Sequence, residues 1–301
     1  MLPSLFPSFA YDSTAFKYHR QGIDYVLENK FTDAEEQFKE AIKIDKSDRG
    51  SREALQLIYD FNKGVISKEF LLFQFKGAKS LFNRDYALAF SEFKAALDIM
   101  PDNALANNNI GLAHLYVGSY NEAVEYFKKA LQFDKSYLDA YTNLAFCYNN
   151  YLIDPDKAKS YSLQALRIDP TSNNAYAELG HAYHLLGYPK KAVKYYKKAL
   201  SLNHGDILAY DGLAQSLFIM GDREEAIRYY KKILTLNPEF VDAYFGIADV
   251  YLSLGDKDSA LVALQKAKEL SLKTEDSERL KFAELALEAL QKSGKEKKGS
   301  E

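Results

Sequence analysis

One spacing governs this sequence. Small residues recur at Gly77, Gly111, Ala145, Gly180, Ala214 and Ala248, separated by 34, 34, 35, 34 and 34 residues, with an earlier member at Gly22. A second series, Ala34, Ala89, Ala123, Ala158, Ala192, Ala226 and Ala260, follows twelve or thirteen residues behind. A third lies seven residues further on, at Ala41, Ala96, Ala130, Ala165, Ala199, Ile233 and Ala267. Aromatic residues sit between them, at Phe38, Phe93, Phe127, Tyr196 and Tyr230 among others. A unit this short cannot bury its own apolar face, so copies must stack on one another with contacts between nearest neighbours.

The unit is a helical hairpin. Residues 175–186 and 190–202 each carry apolar side chains at i, i+3, i+4 and i+7, the period of an amphipathic helix. Gly187 breaks the first helix, and Pro189 suits the first turn of the second. Small residues where two helices cross let the backbones approach, and aromatic rings fill the space beside them.

In these positions the chain resembles a tetratricopeptide-repeat protein. "NNNIGLAHLYVGSYNEAVEYFKKALQFD" (107–134) carries that family's Gly, Ala and aromatic positions, and Pro101, Pro170 and Pro238 match its closing proline. Seven repeats are identified: 15–48, 70–103, 104–137, 138–172, 173–206, 207–240 and 241–274. The family's tryptophan is absent throughout, and the fourth repeat has one extra residue near "NNYLIDPDKA". The resemblance implies an all-α, right-handed superhelical solenoid of antiparallel helix pairs over 70–274. Residues 275–292 are expected to form a capping helix, and the charged, Gly/Ser-bearing tail 293–301 to be disordered.

Residues 49–69 break the period and predict a single inserted helix, capped by Ser51 and ended by Gly64. The following helix, "EFLLFQFKGAKSLF", is apolar nearly all round, so the inserted helix is expected to cover it. Residues 1–14 are read as a flexible or targeting-remnant N-terminus. "MLPSLFPSFA" ends in a small-x-small pattern but lacks a basic n-region and a full apolar core. A cytoplasmic location is therefore favoured, with export the alternative if this is the stump of a longer signal.

Net charge is −3, which argues against non-specific nucleic-acid binding as the main role. The one cysteine, Cys147, has no local His or acid partner and reads as a small buried hydrophobe. No phosphate loop, nucleophile elbow or HExxH occurs, so the chain is read as a non-enzyme without a cofactor. Glu178, His181 and His184 fall at three-residue steps on one helix. All three would diverge too far around the axis to share a metal, so a polar groove lining is preferred to a metal site.

In the family, first-helix positions 2, 5, 6, 9, 12 and 13 line the concave surface, and repeats that grip acidic tails place Lys, Arg and Asn there. Here, from the third repeat on, those positions hold Asn108, Tyr116, Asp139, Thr142, Phe146, Asn149, Asn150, Asn174, Glu178, His181, His184, Asp211, Gln215, Phe218, Asp242, Phe245 and Asp249. With no Lys or Arg among them, a carboxylate clamp is contradicted. An acidic, amide-rich and aromatic groove suits a polar or basic extended segment or helix of a protein partner. The alternative is a nucleic acid or anionic surface on the basic convex face, where Lys128-Lys129, Lys197-Lys198 and Lys231-Lys232 recur. That face is expected to lack interleaved aromatics for base stacking.

Overall fold

The computed structural model describes residues 14–46 and 48–298, all in helices and the links between them. The first pair is α1 (Thr14–Leu27) and α2 (Phe31–Ile44), followed by the single helix α3 (Arg49–Asn62). Six further pairs follow. They are α4 (Lys68–Phe82) with α5 (Tyr86–Ile99), α6 (Ala104–Tyr116) with α7 (Tyr120–Phe133), and α8 (Leu138–Asn150) with α9 (Pro155–Ile168). Next come α10 (Asn173–Leu185) with α11 (Pro189–Leu202), α12 (Ile207–Ile219) with α13 (Arg223–Leu236), and α14 (Val241–Ser253) with α15 (Lys257–Lys273). The last helix is α16 (Ser277–Lys298). Each pair packs as a hairpin; α2 packs on the inserted α3 and α1 on α4, and from α5 on each second helix packs on the helix that follows it, so the array is a superhelical solenoid.

The period follows from one contact. A Cβ added at Gly111 would lie 2.6 Å from the ring of Phe127, sixteen residues on in the paired helix. At Gly180 it would meet Tyr196 at 2.9 Å. The same Tyr196 ring reaches across to the next pair, where a Cβ at Gly212 would come within 2.3 Å of it. One aromatic thus seats against its own hairpin and the following one. The second-helix alanines Ala123, Ala158, Ala192, Ala226 and Ala260 are fully buried, because nothing larger fits where the two helices cross.

The link inside a hairpin turns through a left-handed residue, Gly187 having φ 78° and Pro189 opening α11. The extra residue of the fourth repeat falls at this turn. There the β-branched Ile153 takes φ 48°, where Gly118, Gly187, Gly221 and Gly255 serve other hairpins and Asn29 and Arg84 the first two, a conformation that costs a non-glycine residue about 1 kcal/mol or more.

The inserted segment departs from expectation at its start. The cap of α3 is Asp48, whose Oδ1 accepts from the Ser51 backbone at 3.0 Å. Ser51 is instead buried, its hydroxyl 2.8 Å from His19 Nδ1 on α1. Ala54 and Ile58 of α3 join one apolar cluster with Phe70, Leu71 and Phe75 of α4 and with Ile23, Val26 and Phe38 of the first pair. At the far end α16 continues to Lys298, beyond the expected boundary at 292. Lys295, Glu296, Lys297 and Lys298 are good helix formers, and Gly294 costs only about 1 kcal/mol there. Residues 1–13, which hold the expected targeting remnant, and 299–301 of the expected disordered tail lie outside the described residues.

The seating contact sets an expectation opposite to helix propensity. Glycine to alanine in a helix interior ordinarily adds up to about 1 kcal/mol. Gly111→Ala should instead lower stability by ~1–3 kcal/mol, because its methyl overpacks against the fully buried Phe127. Denaturant midpoints of the two proteins measure this. A stabilised variant would mean that the ring is free to withdraw.

Candidate functional site

The first helices of the pairs line the concave face, and their polar residues bond to one another from repeat to repeat. Asn109 Nδ2 donates to Gln74 Oε1 at 2.7 Å, Asn108 Nδ2 to Asn109 Oδ1 at 3.4 Å, and Asn143 Nδ2 to Asn108 Oδ1 at 2.9 Å. These four amides join α4, α6 and α8. Further on, Asn149 Nδ2 donates to both the carbonyl and Oε2 of Glu178, at 2.9 and 2.7 Å. His184 Nδ1 lies 2.9 Å from Ser216 Oγ, whose own proton goes to the Gly212 carbonyl at 2.7 Å. The histidine is therefore the donor in that pair. Buried amides and hydroxyls need such partners, and these bonds supply them in three separate groups along the first helices.

The ladder revises the groove. Asn108, Thr142, Phe146 and Asn149 are buried, so they present little surface to solvent. Asn150 is exposed, its amide donating to the Phe146 carbonyl at 2.9 Å. Asn174 accepts from Asn173 at 2.9 Å, and Tyr116 stacks on Tyr86 with ring centres 5.2 Å apart. Phe218 packs against the large C-terminal core cluster. Phe245 meets Phe282 of α16 edge-on, centres 4.9 Å apart.

The acids divide into three kinds. Asp139 and Asp242 are paired: Arg49 Nε lies 2.8 Å from Asp139, and Arg279 grips Asp242 through two nitrogens at 2.8 and 3.0 Å. Neither arginine belongs to a first helix of a repeat, so the absence of basic residues from the repeat positions did not reveal them. Glu178 and Asp211 are half-buried. Burial pushes the Glu178 carboxyl up to about 8 against the bond from Asn149, and raises Asp211 to about 7 with help from the charge of Asp242. Gln215 donates to Asp211 Oδ2 at 2.7 Å. Asp249 is exposed and only raised in direction by burial. At neutral pH the wall is less negative than its formula suggests.

Glu178, His181 and His184 do not assemble into a metal centre. Among the described residues, no three His, Cys, Asp or Glu side chains are grouped to hold an ion. Asn149 engages Glu178, Ser216 engages His184, and burial lowers His181 to about 4, leaving it neutral. Cys147 is fully buried, its thiol pushed up to about 12, which suits an inert core residue.

On the convex face Lys129 sits 4.4 Å from the centre of the half-buried Tyr126 ring, and Lys191, outside the recurring pairs, sits 4.9 and 5.1 Å from Tyr188 and Tyr183. Several nearby rings stack on one another. Tyr183 stacks on Tyr195 at 5.3 Å and Tyr148 on Tyr161 at 5.7 Å, each nearly parallel, which leaves little ring surface for a base.

Comparison with known proteins now decides the family. Models described as the tetratricopeptide repeat match residues 104–137, 138–172, 174–204 and 217–281, more than half of the chain. This is a tetratricopeptide-repeat protein. It is 27% identical over 195 residues to anaphase-promoting complex subunit 6 of Arabidopsis thaliana, covering 59% of this chain and 36% of that one. It is 34% identical over 71 residues to a small glutamine-rich tetratricopeptide repeat-containing protein of Saccharomyces cerevisiae, covering 24% and 20%. The chain thus spans about a third or less of these curated relatives. Among solved structures, a thermophilic tetratricopeptide-repeat protein of Thermus thermophilus superposes with TM-score 0.52 at 26% identity, covering 58% of this chain and 95% of that one. The anaphase-promoting complex hetero-tetramer Cut9-Hcn1 gives TM-score 0.66 at 16% identity, covering 91% and 56%, a likeness of fold alone. The family is one of protein-interaction scaffolds, and no helix of the described residues is long and apolar enough to cross a membrane.

The raised Glu178 carboxyl has a stability consequence with a definite sign. Between the ordinary value of 4.5 and about 8, the folded chain holds a proton that the unfolded chain releases, so stability falls as pH rises through this window. Glu178→Gln keeps an acceptor for Asn149 and cannot ionise. Its melting temperature should match the parent near pH 4 and exceed it progressively up to pH 8. Parallel melting curves for the two proteins across that range would mean Glu178 is ionised when folded.

Proposed function

We propose that this repeat protein is a scaffold that holds a polar or basic extended segment of a protein partner in its concave groove. The observation that carries the reading is the acidic stretch formed by Asp211 and Asp249, on α12 and α14, with no cation in ion-pair contact with either among the described residues. Gln215, exposed beside Asp211, and Asn150 further along can bond to a segment's backbone, and Phe218 offers an apolar contact at the same level. The reading extends no activity or partner from the relatives, of which the chain spans only a part.

A lysine docking beside Asp211 favours the charged carboxylate, so binding releases its proton. Affinity for a basic segment should therefore rise between about pH 6 and pH 8, the range around the Asp211 value of about 7. Measured with a short labelled peptide of alternating Lys and Ser, Asp211→Asn with Asp249→Asn should weaken binding about two- to tenfold at low salt. The single Asp211→Asn change should flatten the pH dependence. If the double variant binds unchanged, while reversing the charge of Lys197, Lys198, Lys231 and Lys232 abolishes capture, the convex face is the working surface.

A further inference from the structure

The last helix of the array has an open face that the repeats keep closed. α16 packs on α15 as the first helices from α6 on pack on the second helix before them, and Arg279 joins it to Asp242 of α14. In that register Phe282 stands 34 residues beyond Ala248, at the small-residue position of the repeats. Within a repeat this face is closed by the second helix of the same hairpin, as Tyr196 closes on Gly180. Among the described residues no second helix follows α16. Phe282 and Leu285 are each 57% exposed, about one turn apart, and the exposed Ala289 continues their stripe. The buried side of α16 is a different one, marked by Ala283 and Leu287.

A hairpin partner of the repeat kind does not fit this face. The repeats keep glycine or alanine at the position of Phe282 so that a second helix can approach closely; a phenylalanine holds a helix farther off. The spacing of Phe282, Leu285 and Ala289, three residues and then four, is instead that of a seam between two helices. Charges flank this seam on one side. Lys281 and Glu288 are exposed and seven residues apart, about two turns along one edge. The ion pairs of α16 run from Arg279 to Asp242 and Asp276 and from Glu284 to Lys268, and among the described residues none takes Lys281 or Glu288. An edge with a cation at one end and an anion at the other is complementary to its own reversed copy. About a two-fold axis near Leu285, Lys281 of each helix comes beside Glu288 of the other. Two copies aligned in the same direction would form no such pairs.

We infer that this stripe is the contact between two copies of the chain, paired antiparallel along α16, with Phe282 and Leu285 interdigitated at the centre and a Lys281–Glu288 pair at each end. The pairing does not rest on the groove reading. It bears on it, however, because Phe282 also meets Phe245, a groove position of the last repeat. The dimer therefore joins two grooves at their C-terminal ends, and a partner with two matching segments would be held by both. One helix from each copy makes a small contact, so the dimer exchanges readily with monomer.

Sedimentation velocity of the 301-residue chain over a dilution series reads the assembly directly. The parent should pass from monomer to dimer as its concentration rises about a hundredfold through the micromolar range. Leu285→Asp, at an exposed position, should raise the dissociation constant about tenfold or more with an unchanged circular dichroism spectrum. Lys281→Glu alone sets two acids together at each end and should weaken the dimer about three- to tenfold at low salt. Adding Glu288→Lys should restore it, which a mere disturbance of α16 would not. Asp211→Asn with Asp249→Asn should leave the dimer unchanged, so failure of the groove reading is separately visible. A parent monomeric throughout, a dimer that survives Leu285→Asp, or a single exchange not rescued by the double one overturns the pairing. For a monomeric parent, hydrogen exchange identifies the other occupant. Protection of α16 that Leu285→Asp removes would assign the stripe to another segment of this chain, and an unprotected α16 would leave it to a different protein.

Discussion

The array depends on rings seated against residues that have no side chain. Phe127 lies over Gly111, and Tyr196 lies between Gly180 of its own hairpin and Gly212 of the next, so close that a methyl at any of these glycines would overlap the ring. Helices brought to that distance must carry small residues wherever they cross, hence the buried alanines. Small residues at the crossings let the helices of a hairpin approach closely. A regular superhelix follows, with a regular concave wall. Where alanine replaces glycine at Ala214, the ring sixteen residues on is the buried Tyr230; in the fourth repeat, whose turn is one residue longer, the buried Ser162 stands at the ring's position.

Regular stacking brings the same turn of successive first helices side by side, and this creates the polar ladder. Asn109 and Asn143 occupy one repeat position, 34 residues apart, and both donate backward to the preceding repeat, to Gln74 and Asn108 respectively. An amide can donate and accept at once, so it can sit in a row of its own kind; a carboxylate cannot. Where the row reaches Glu178, the neighbour Asn149 can satisfy it, but burial then selects the protonated acid. Side chains that look like a ligand-binding set in the sequence are thus held by one another. Among the described residues, no cation is in ion-pair contact with Asp211 or Asp249, on the later repeats.

The fold was legible because its signal is redundant: Gly180, Ala192, Tyr196 and Ala199 report one hairpin, and Ala214, Ala226, Tyr230 and Ile233 report it again 34 residues later. The groove was legible only in part. Repeat position identifies the helix face of Asn108 or Asn149 but not its depth, which depends on how far the neighbouring helix overlaps it. Arg49 and Arg279 were missed because they lie in non-repeating segments, where no register says which surface they reach. Nor could spacing reveal that Asp139 meets a residue 90 positions earlier. The cap of α3 was misplaced for a local reason: Ser51 and Asp48 are both good N-caps, and His19 on another helix decides between them.

The insertion gives the solenoid a property that repeats alone do not supply. In a pure array each hairpin touches only its neighbours, so the two edges of the groove come from the same few positions and carry one kind of chemistry. Here α3 bonds to α8 across two intervening hairpins, through Arg49 to Asp139 and Glu53 to Tyr137. It thereby ties the inserted helix to the start of the fourth repeat. That long-range contact is polar and partly buried, so removing one partner of either pair would leave the other without its bond. The packed clusters hold the hairpins together, and the polar bridge holds the inserted helix against a repeat it does not adjoin in sequence.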